Sequence, residues 1–131
     1  MIRGGARMAI KRTRESEEMY LATILLLHKG QLNVRAVDVL DDLGLAKSSV
    51  SRGVNLLKKK GYITIDSVTG DIEFTAMGRK KAEGIYERHK ILTAALCKMG
   101  ANSELAEENA CRIEHVVSDE MMEVFRNYIK D

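Results

Sequence analysis

The sequence has little of what a β-rich, secreted or membrane-spanning protein needs. Its 131 residues include no proline and no tryptophan, and aromatic side chains make up only 5% of them. Long helices are therefore favoured over a β-sandwich, because strands are usually rich in aromatic residues. The two cysteines, Cys97 and Cys111, cannot build a disulfide framework and are expected as free thiols.

No apolar run approaches the roughly 20 residues that cross a bilayer, and the basic, polar start does not resemble a signal peptide. We therefore expect a cytoplasmic protein with no membrane partner. The charge is distributed unevenly: residues 1–60 carry 12 Lys and Arg against 6 Asp and Glu, whereas residues 61–131 carry 9 against 13. A basic first half predicts a polyanion-binding part joined to a part with another task.

The first half reads as a flexible arm followed by three helices. Residues 1–14 are rich in Gly and Arg and have no apolar period, which predicts a basic flexible arm. A first helix is expected from an N-cap at Ser16 to Gly30, a second over residues 34–43 with Asn33 as its cap, and a third over residues 47–60. The last two, joined by a short turn at Gly44, have the pattern of a helix-turn-helix with a basic second helix.

A short β-hairpin is expected directly after this motif. Residues 62–65 and 72–74 are rich in β-formers, and the residues 66–70 between them favour a turn. A hairpin in this position is a wing. The sequence therefore predicts a winged helix-turn-helix domain over residues 15–75.

The remaining residues, 76–131, are predicted to be all helical, which makes the fold class mainly α. Thr75 is expected to cap a long helix that ends near Met99, and helices over residues 104–117 and from Asp119 follow. Gly78 and Gly84 within the long helix indicate close packing. The last helix is too apolar to face water on all sides, which indicates a packing or dimer surface.

One cluster in this second part has metal-binding chemistry. Cys111, Glu114 and His115 are spaced i, i+3 and i+4, so a helix would place them on one face, with Glu107 one turn earlier. Thiolate, carboxylate and imidazole are all ligands of transition metals. The same residues also fit a buried thiol, a solvated acid and an ordinary helix histidine, and spacing alone leaves both interpretations open.

The start of the third helix has a different chemistry. Ser48, Ser49, Ser51 and Arg52 are short hydroxyls and a guanidinium, which suit phosphates and base edges. The run Lys58–Lys60 is explained by the helix dipole alone. No phosphate-binding loop, Ser-His-Asp order or paired metalloprotease histidines occur, so we expect no enzyme.

Three stretches together resemble the diphtheria-toxin-repressor family of metal-dependent transcriptional regulators, which includes the manganese-transport regulators. They are SEEMYLATI at 16–24, LAKSSVSRGVNLLKKKGYI at 45–63 and ACRIEHVVSDE at 110–120, with support from FTAMGRKKA and RHKIL. The resemblance implies a winged helix-turn-helix domain followed by a helical metal-binding and dimerisation domain. It also implies a homodimeric repressor that binds a double-stranded DNA operator when a divalent metal is bound.

The resemblance carries over to particular residues. Its regulatory metal site corresponds to Met19, Cys111, Glu114 and His115, a soft set that favours Fe(II), with Mn(II) next. An ancillary metal site corresponds to His89 and Glu107, although Thr93 stands where the family has a carboxylate and Ala22 lacks the extra carboxylate of the manganese branch. The DNA-binding residues correspond to Lys47, Ser48, Ser49, Ser51 and Arg52, with Arg35 and Lys58 as expected phosphate contacts.

The chain resembles the manganese regulators in length and the iron regulators in its ligands. Since the sequence runs to Asp131, we expect no SH3-like domain of the kind that many members of the iron branch carry. Two other interpretations stay open. In one, a winged-helix regulator dimerises and binds DNA without a metal switch. In the other, an enzyme uses Glu114 and His115 around a catalytic metal, for which the sequence offers neither a substrate pocket nor a positioned base.

Overall fold

The computed structural model describes the backbone of residues 13–131 and the side chains from Glu17 onward. This part of the chain folds into helices and one two-stranded sheet. The helices are α1 (Thr13–Gly30), α2 (Ala36–Leu43), α3 (Lys47–Lys59), α4 (Ala76–Lys98), α5 (Ser103–Ile113) and α6 (Asp119–Lys130), and the strands are β1 (Ile63–Ile65) and β2 (Ile72–Phe74). The mainly α fold with a winged helix-turn-helix is confirmed.

The predicted arm, residues 1–14, lies almost entirely outside the described residues. Its last two residues, Thr13 and Arg14, are already helical. The prediction that Ser16 caps the first helix is therefore wrong, because α1 includes this residue. The predicted end of that helix at Gly30 is confirmed.

Helix α2 ends at the glycine that the sequence predicted, but it begins at a different cap residue. Gly44 follows the helix with φ of 66°, a left-handed conformation that favours glycine, and its N–H donates to Leu40 O. The expected cap at Asn33 is wrong, since the N-cap is Arg35. The Arg35 N–H donates to the Asp38 carboxylate at 2.8 Å, so an acid within the first turn replaces the missing polar cap.

The hairpin forms as predicted, and its second strand is attached to the preceding helical segments at the end next to the turn. Strands β1 and β2 are antiparallel, with Ile65 opposite Ile72. The Ile72 N–H donates to Val34 O at 2.7 Å, and His28 Nε2 lies 2.8 Å from Ile72 O, to which it donates. His28 therefore joins the end of α1 to the wing.

The chain divides into two compact units, one ending at Glu83 and the other spanning Gly84–Asp131. The division lies within α4, whereas the sequence placed the domain boundary between residues 75 and 76. No helix in the described part of the chain is long and apolar enough to span a membrane.

Two glycines in the first unit allow close contacts in its core. A Cβ on Gly53 in α3 would lie 2.1 Å from the buried ring of Tyr20 on α1, and a Cβ on Gly78 in α4 would lie 1.8 Å from Tyr62 O. The close packing predicted at Gly78 is confirmed. The same prediction for Gly84 is wrong, because nothing lies within 4 Å of the position of its Cβ.

A buried acid also connects three elements of the first unit. The Glu17 side chain on α1 is 5% exposed, and its oxygens lie 2.6 Å from Lys60 Nζ and 3.3 Å from Lys81 Nζ. Lys60 follows α3 and Lys81 lies on α4. The hydrogen bond that Lys60 donates to Glu17 raises the pKa of Lys60. An unpaired buried carboxylate is strongly destabilising, so the two ammonium groups allow Glu17 to be buried as a charge.

The second unit has its own apolar core. Ile91, Leu92, Ala110 and Met122 are buried there, and the partly buried side chains packed against them are Leu96, Ile113, Val117, Phe125 and Ile129. Helix α6 thus has two faces. Met122 is buried, while Met121, Val124 and Tyr128 are exposed.

Candidate metal and DNA-binding sites

The segment with the candidate metal ligands begins as a helix and ends as a turn. The predicted helix to residue 117 is wrong in length, because α5 ends at Ile113. Glu114 is the C-cap and keeps helical dihedral angles, with its N–H bonded to Ala110 O at 2.9 Å. Cys111 therefore lies in the last turn of α5, whereas His115 lies in the turn that follows. The assumption that all three share one helix face holds only as far as Glu114.

The carboxylate of Glu114 is buried between two imidazoles. Its side chain is only 4% exposed, and Oε1 lies 2.7 Å from Nδ1 of His89 on α4. The other oxygen, Oε2, lies 3.4 Å from His115 Nε2, and the His115 side chain is 7% exposed. A buried carboxylate needs such polar partners, because desolvation without them costs several kcal/mol.

The electrostatics of this pair follow from their contact. The hydrogen bond to Glu114 raises the pKa of His89 above its ordinary value, while burial acts in the opposite direction. The charges of Glu114 and, to a smaller extent, Glu107 add to the increase. The exposed Glu107 on α5 is thus near enough to influence His89 through its field.

Arg88, the neighbour of His89 on α4, binds the main chain of the same segment. Its Nε donates to Glu114 O at 2.9 Å, and its guanidinium also donates to Val117 O. A third contact joins Arg88 to the Asp119 carboxylate at 3.1 Å. Two consecutive residues of α4 therefore hold both the backbone and the carboxylate of Glu114.

This arrangement fits a divalent metal at Glu114 and His115. Oxygen and nitrogen ligands about 2.1 Å from one ion lie about 3.0–3.4 Å from each other, and the 3.4 Å between Glu114 Oε2 and His115 Nε2 matches that spacing. Within the described residues, no group of three or more His, Cys, Asp and Glu side chains is already gathered as a metal cage. The half-buried thiol of Cys111 lies on α5, and Met19 is half-buried on α1 in the first unit.

The ancillary position is less well supplied with donors. Thr93, where the resemblance expects a carboxylate, is one helical turn beyond His89, and its buried hydroxyl oxygen has no hydrogen-bond partner. A neutral hydroxyl is a poor substitute for a carboxylate as a ligand of a divalent ion. The assignment of His89 and Glu107 to a second metal site stays a prediction.

The predicted DNA-binding residues of α3 lie mostly on its surface. The exposed ones are Lys47, Ser48, Ser51, Arg52 and Lys58. Ser49 is half-buried, and its carbonyl accepts a hydrogen bond from Tyr20 at 3.2 Å. Contact between Tyr20 and α3, through Ser49 and Gly53, fixes the helix against α1 while its polar side chains remain accessible.

Arg35, a predicted phosphate contact, has a protein partner. Its Nε lies 3.1 Å from the carboxylate of Asp71, the turn residue that directly precedes β2. The Arg35 side chain is 54% exposed, so this pair is weak and its guanidinium can exchange partners at little cost.

Sequence reasoning missed Glu17 and Arg88, which the structure places in buried polar contacts. Glu17 is one of two adjacent acids near the start of a helix, a pattern that is ordinary on helix surfaces. Arg88 belongs to the RHKIL run that supported the resemblance, but nothing in that run indicates a main-chain acceptor 26 residues away. Only the tertiary contact identifies either residue.

Two sequence families match adjoining parts of the chain. Residues 12–70 match the iron-dependent repressor N-terminal DNA-binding domain. Residues 75–131 match the iron-dependent repressor metal-binding and dimerisation domain. The first match contains α3 and the second contains Glu114. The candidate DNA contacts on α3 therefore lie in the domain described as DNA-binding, and Glu114 lies in the domain described as metal-binding.

Individual relatives agree with these matches. The transcriptional regulator MntR of Escherichia coli is 32% identical over 113 residues, covering 86% of this chain and 72% of the relative. The diphtheria toxin repressor of Corynebacterium diphtheriae is 26% identical over 118 residues, covering 89% of this chain but 52% of that protein. A solved manganese-dependent transcriptional repressor in complex with manganese has the same fold, with a TM-score of 0.79 at 23% identity, over 87% of this chain and 52% of that one.

The fold agrees with that of the solved repressor, and the two family matches together cover both α3 and Glu114. The resemblance drawn from the three sequence stretches is thereby confirmed. The chain belongs to the iron-dependent repressor family of metal-responsive, DNA-binding transcriptional repressors.

Proposed function

We propose that the protein is a homodimeric repressor of metal-homeostasis genes, controlled by a regulatory divalent ion, Fe(II) first and Mn(II) next. The proposed ligands are Met19, Cys111, Glu114 and His115. The observation that carries the proposal is the buried Glu114 carboxylate, whose Oε2 lies at ligand-pair distance from His115 Nε2. The ion would neutralise this carboxylate and draw the four ligands together.

The donor set is the reason for placing iron first. A thiolate and a thioether are soft ligands, which a hard ion such as Mn(II) does not select, whereas carboxylate and imidazole suit both ions. By sequence, Met19 belongs to the DNA-binding part and the other three ligands to the second part. An ion that used all four would change DNA affinity only by its preference for the DNA-competent arrangement.

The DNA-binding proposal rests on the surface of α3. Arg52 is exposed near its start and has the geometry for bidentate contact with guanine, while Lys58 and Arg35 suit phosphates. Phosphate contacts position the protein, and base contacts give it sequence preference. We expect a repressor of this kind to work in the cytoplasm, together with the DNA that it binds.

The exposed face of α6 supports the homodimer. Met121, Val124 and Tyr128 are 43%, 54% and 36% exposed, and they share a helix whose other face is in the core. The second sequence family is described as a dimerisation domain. Light scattering coupled to size exclusion should give twice the mass of the chain, and Val124→Asp should reduce it towards the monomer.

The test of function is a selection of DNA from a random pool under anaerobic conditions. Three parallel selections contain Fe(II), Mn(II) or a chelator. We expect a palindromic site to be enriched with metal and not with chelator, most strongly with Fe(II). Cys111→Ser should abolish the metal-dependent enrichment, whereas Cys97→Ser, a matched change of the other thiol in the second unit, should keep it.

Equal enrichment under chelator would contradict the metal switch and favour the winged-helix regulator that binds DNA without metal. Enrichment by Mn(II) alone would contradict the preference for iron while keeping the switch. Loss of enrichment in both cysteine variants would indicate that the serine substitutions damage folding, which circular dichroism of the metal-free proteins would show directly.

A further inference from the structure

We propose that His89 and Arg88 are positioning residues for Glu114, and that His89 has this role instead of binding a second metal ion. The inference rests on the proposed function, since Glu114 is taken as a ligand of the regulatory ion. It goes further by assigning His89 to the surroundings of that ligand and by setting the number of ions at one per chain.

The first argument is that the two carboxylate oxygens of Glu114 have different partners. Glu114 Oε1 is bonded to His89 Nδ1 at 2.7 Å, and Oε2 lies beside His115 Nε2. One oxygen is thus fixed by a protein donor while the other is next to the second proposed ligand. A carboxylate ligand whose free oxygen is hydrogen-bonded keeps its orientation and loses less rotational freedom when the ion binds.

The second argument is that Arg88 fixes the backbone on which Glu114 lies. Its guanidinium binds the carbonyls of Glu114 and Val117, so the turn after α5 is held at both ends. The Arg88 side chain is only 20% exposed, which strengthens these charge-assisted bonds. Because Arg88 and His89 are consecutive on α4, one helix positions both the main chain and the side chain of Glu114.

The third argument concerns the donors left for a second ion. A protein-held metal needs about three protein ligands. Because Nδ1 of His89 is hydrogen-bonded to Glu114, only Nε2 of this residue could bind a second ion. The next donor along α4 is the hydroxyl of Thr93, one turn further, which is neutral. Among the described side chains, His89, Glu107 and Glu114 do not form a group of three that could hold a metal.

The experiment measures the number and affinity of bound ions with Co(II) as the probe. Equilibrium dialysis with elemental analysis gives the stoichiometry, and the thiolate absorption of Co(II) reports whether Cys111 is bound. The variants are His89→Ala, which removes the donor to Glu114, and His89→Asn, which places an N–H near the former Nδ1 but supplies no imidazole ligand. Arg88→Met removes the main-chain contacts, and Arg126→Met is its matched control on α6.

We expect one Co(II) per chain in the unmodified protein and in every variant. His89→Ala and Arg88→Met should bind it about 10- to 100-fold more weakly, the range known for changes to the partners of metal ligands. His89→Asn should restore most of the affinity and leave the thiolate band unchanged, while Arg126→Met should bind like the unmodified protein. Melting curves of the metal-free proteins separate these changes from a loss of folding.

Two results would overturn the inference. If the unmodified protein bound two ions and His89→Asn bound one, His89 would be a ligand of a second metal. If His89→Asn were as weak as His89→Ala, or if neither differed from the unmodified protein, His89 would not position Glu114. The proposed function fails separately, because it requires Cys111→Ser to lose metal-dependent DNA binding whatever the behaviour of His89.

Discussion

The two units place their candidate functional groups in opposite environments. In the first unit, the candidate DNA contacts on α3 are exposed, and Tyr20 and Gly53 fix the helix from behind. In the second unit, Glu114 is buried and bonded to His89, and its backbone is bonded to Arg88. The proposed DNA contacts are thus side chains that folding does not need, whereas the proposed metal ligand Glu114 is part of the fold.

This difference has a physical reason. A protein surface that meets the phosphate backbone needs mobile cations in water, since binding is driven largely by release of counterions. A metal ligand instead has to be held in place and partly dehydrated before the ion arrives. We therefore expect substitutions on α3 to change DNA binding alone, and substitutions around Glu114 to change stability and metal binding together.

The largest expected effect is a loss of stability on substitution of Gly78 in the first unit, where a side chain has no room. Gly78→Ala places a Cβ at 1.8 Å from Tyr62 O, a backbone atom that cannot move aside. We expect a loss of about 3 kcal/mol or more in the free energy of unfolding, at the upper end of overpacking effects. Urea denaturation measures it.

Gly84→Ala on the same helix is the matched control. Its Cβ meets nothing within 4 Å, so the substitution should stabilise by about 0.5–1 kcal/mol through helix propensity. Equal changes in both variants would show that α4 does not approach Tyr62 as described.

The next effect tests the link between folding and metal binding in the second unit. Glu114→Gln keeps the shape of the side chain but replaces the charge-assisted bond with His89 by a neutral one. We expect a loss of about 1–2 kcal/mol in stability without metal, together with loss of the metal-induced increase in DNA affinity. Thermal denaturation and fluorescence anisotropy measure the two.

Glu107→Gln, on the surface of α5, is the corresponding exposed change. It should leave stability without metal nearly unaltered. If Glu114→Gln also changed neither the stability without metal nor the metal-induced increase in DNA affinity, the comparison between buried and exposed sites would be wrong.

A smaller effect is expected from the exposed surface of α3. Arg52→Ala should weaken binding to the selected operator by about 1–3 kcal/mol, as for a base contact, and should leave the melting temperature unchanged. Lys58→Ala should weaken binding to all sequences alike and reduce the slope of log K against log salt by about one. A drop in melting temperature in either variant would contradict the separation of DNA recognition from folding.

The smallest effect concerns the tip of the wing and is a pH dependence. Backbone N–H groups of Thr69 and Val68 donate to Asp66 and hold its pKa below the ordinary 3.8. Because the pKa is lowered by folding, Asp66 contributes to stability at pH values above its ordinary pKa, and this contribution is lost as the pH falls below that value. Amide exchange at Val68 and Thr69 should therefore show protection that declines on acidification below about pH 4.

Asp66→Asn supplies the control for that measurement. It removes the titrating group, so protection at the two amides should then show no step in this range. Persistence of the step would assign it to another group.

The sequence predicted the elements well wherever the signal was local. Gly44 and the β-rich segments around the turn at Asp66 are short-range signals, and the helix-turn-helix and wing followed from them. The spacing of Cys111, Glu114 and His115 predicted one shared helix face, which holds only as far as Glu114. The helix was expected to continue past Ile113, because the residues after it have adequate propensity and only the carbonyl contacts of Arg88 reveal the turn.

Long-range contacts were beyond sequence reasoning. Nothing near Gly84 distinguishes it from Gly78, yet one faces open space and the other a carbonyl. The attachment of His28 to Ile72, 44 residues later, depends on where the wing lies against α1. The bond between His89 and Glu114 likewise depends on how α4 and α5 pack together, which no local pattern records.

The buried carboxylate of Glu17 changes how the positive charge at the end of α3 should be counted. Three consecutive lysines there suggest three cations for a polyanion, but Lys60 is held at 2.6 Å by Glu17. A phosphate that recruited Lys60 would leave Glu17 with Lys81 as its remaining cationic contact described here. Each phosphate that is neutralised contributes about 0.9 to the slope of log K against log salt. The three lysines at the end of α3 should therefore contribute to this slope as two charges do.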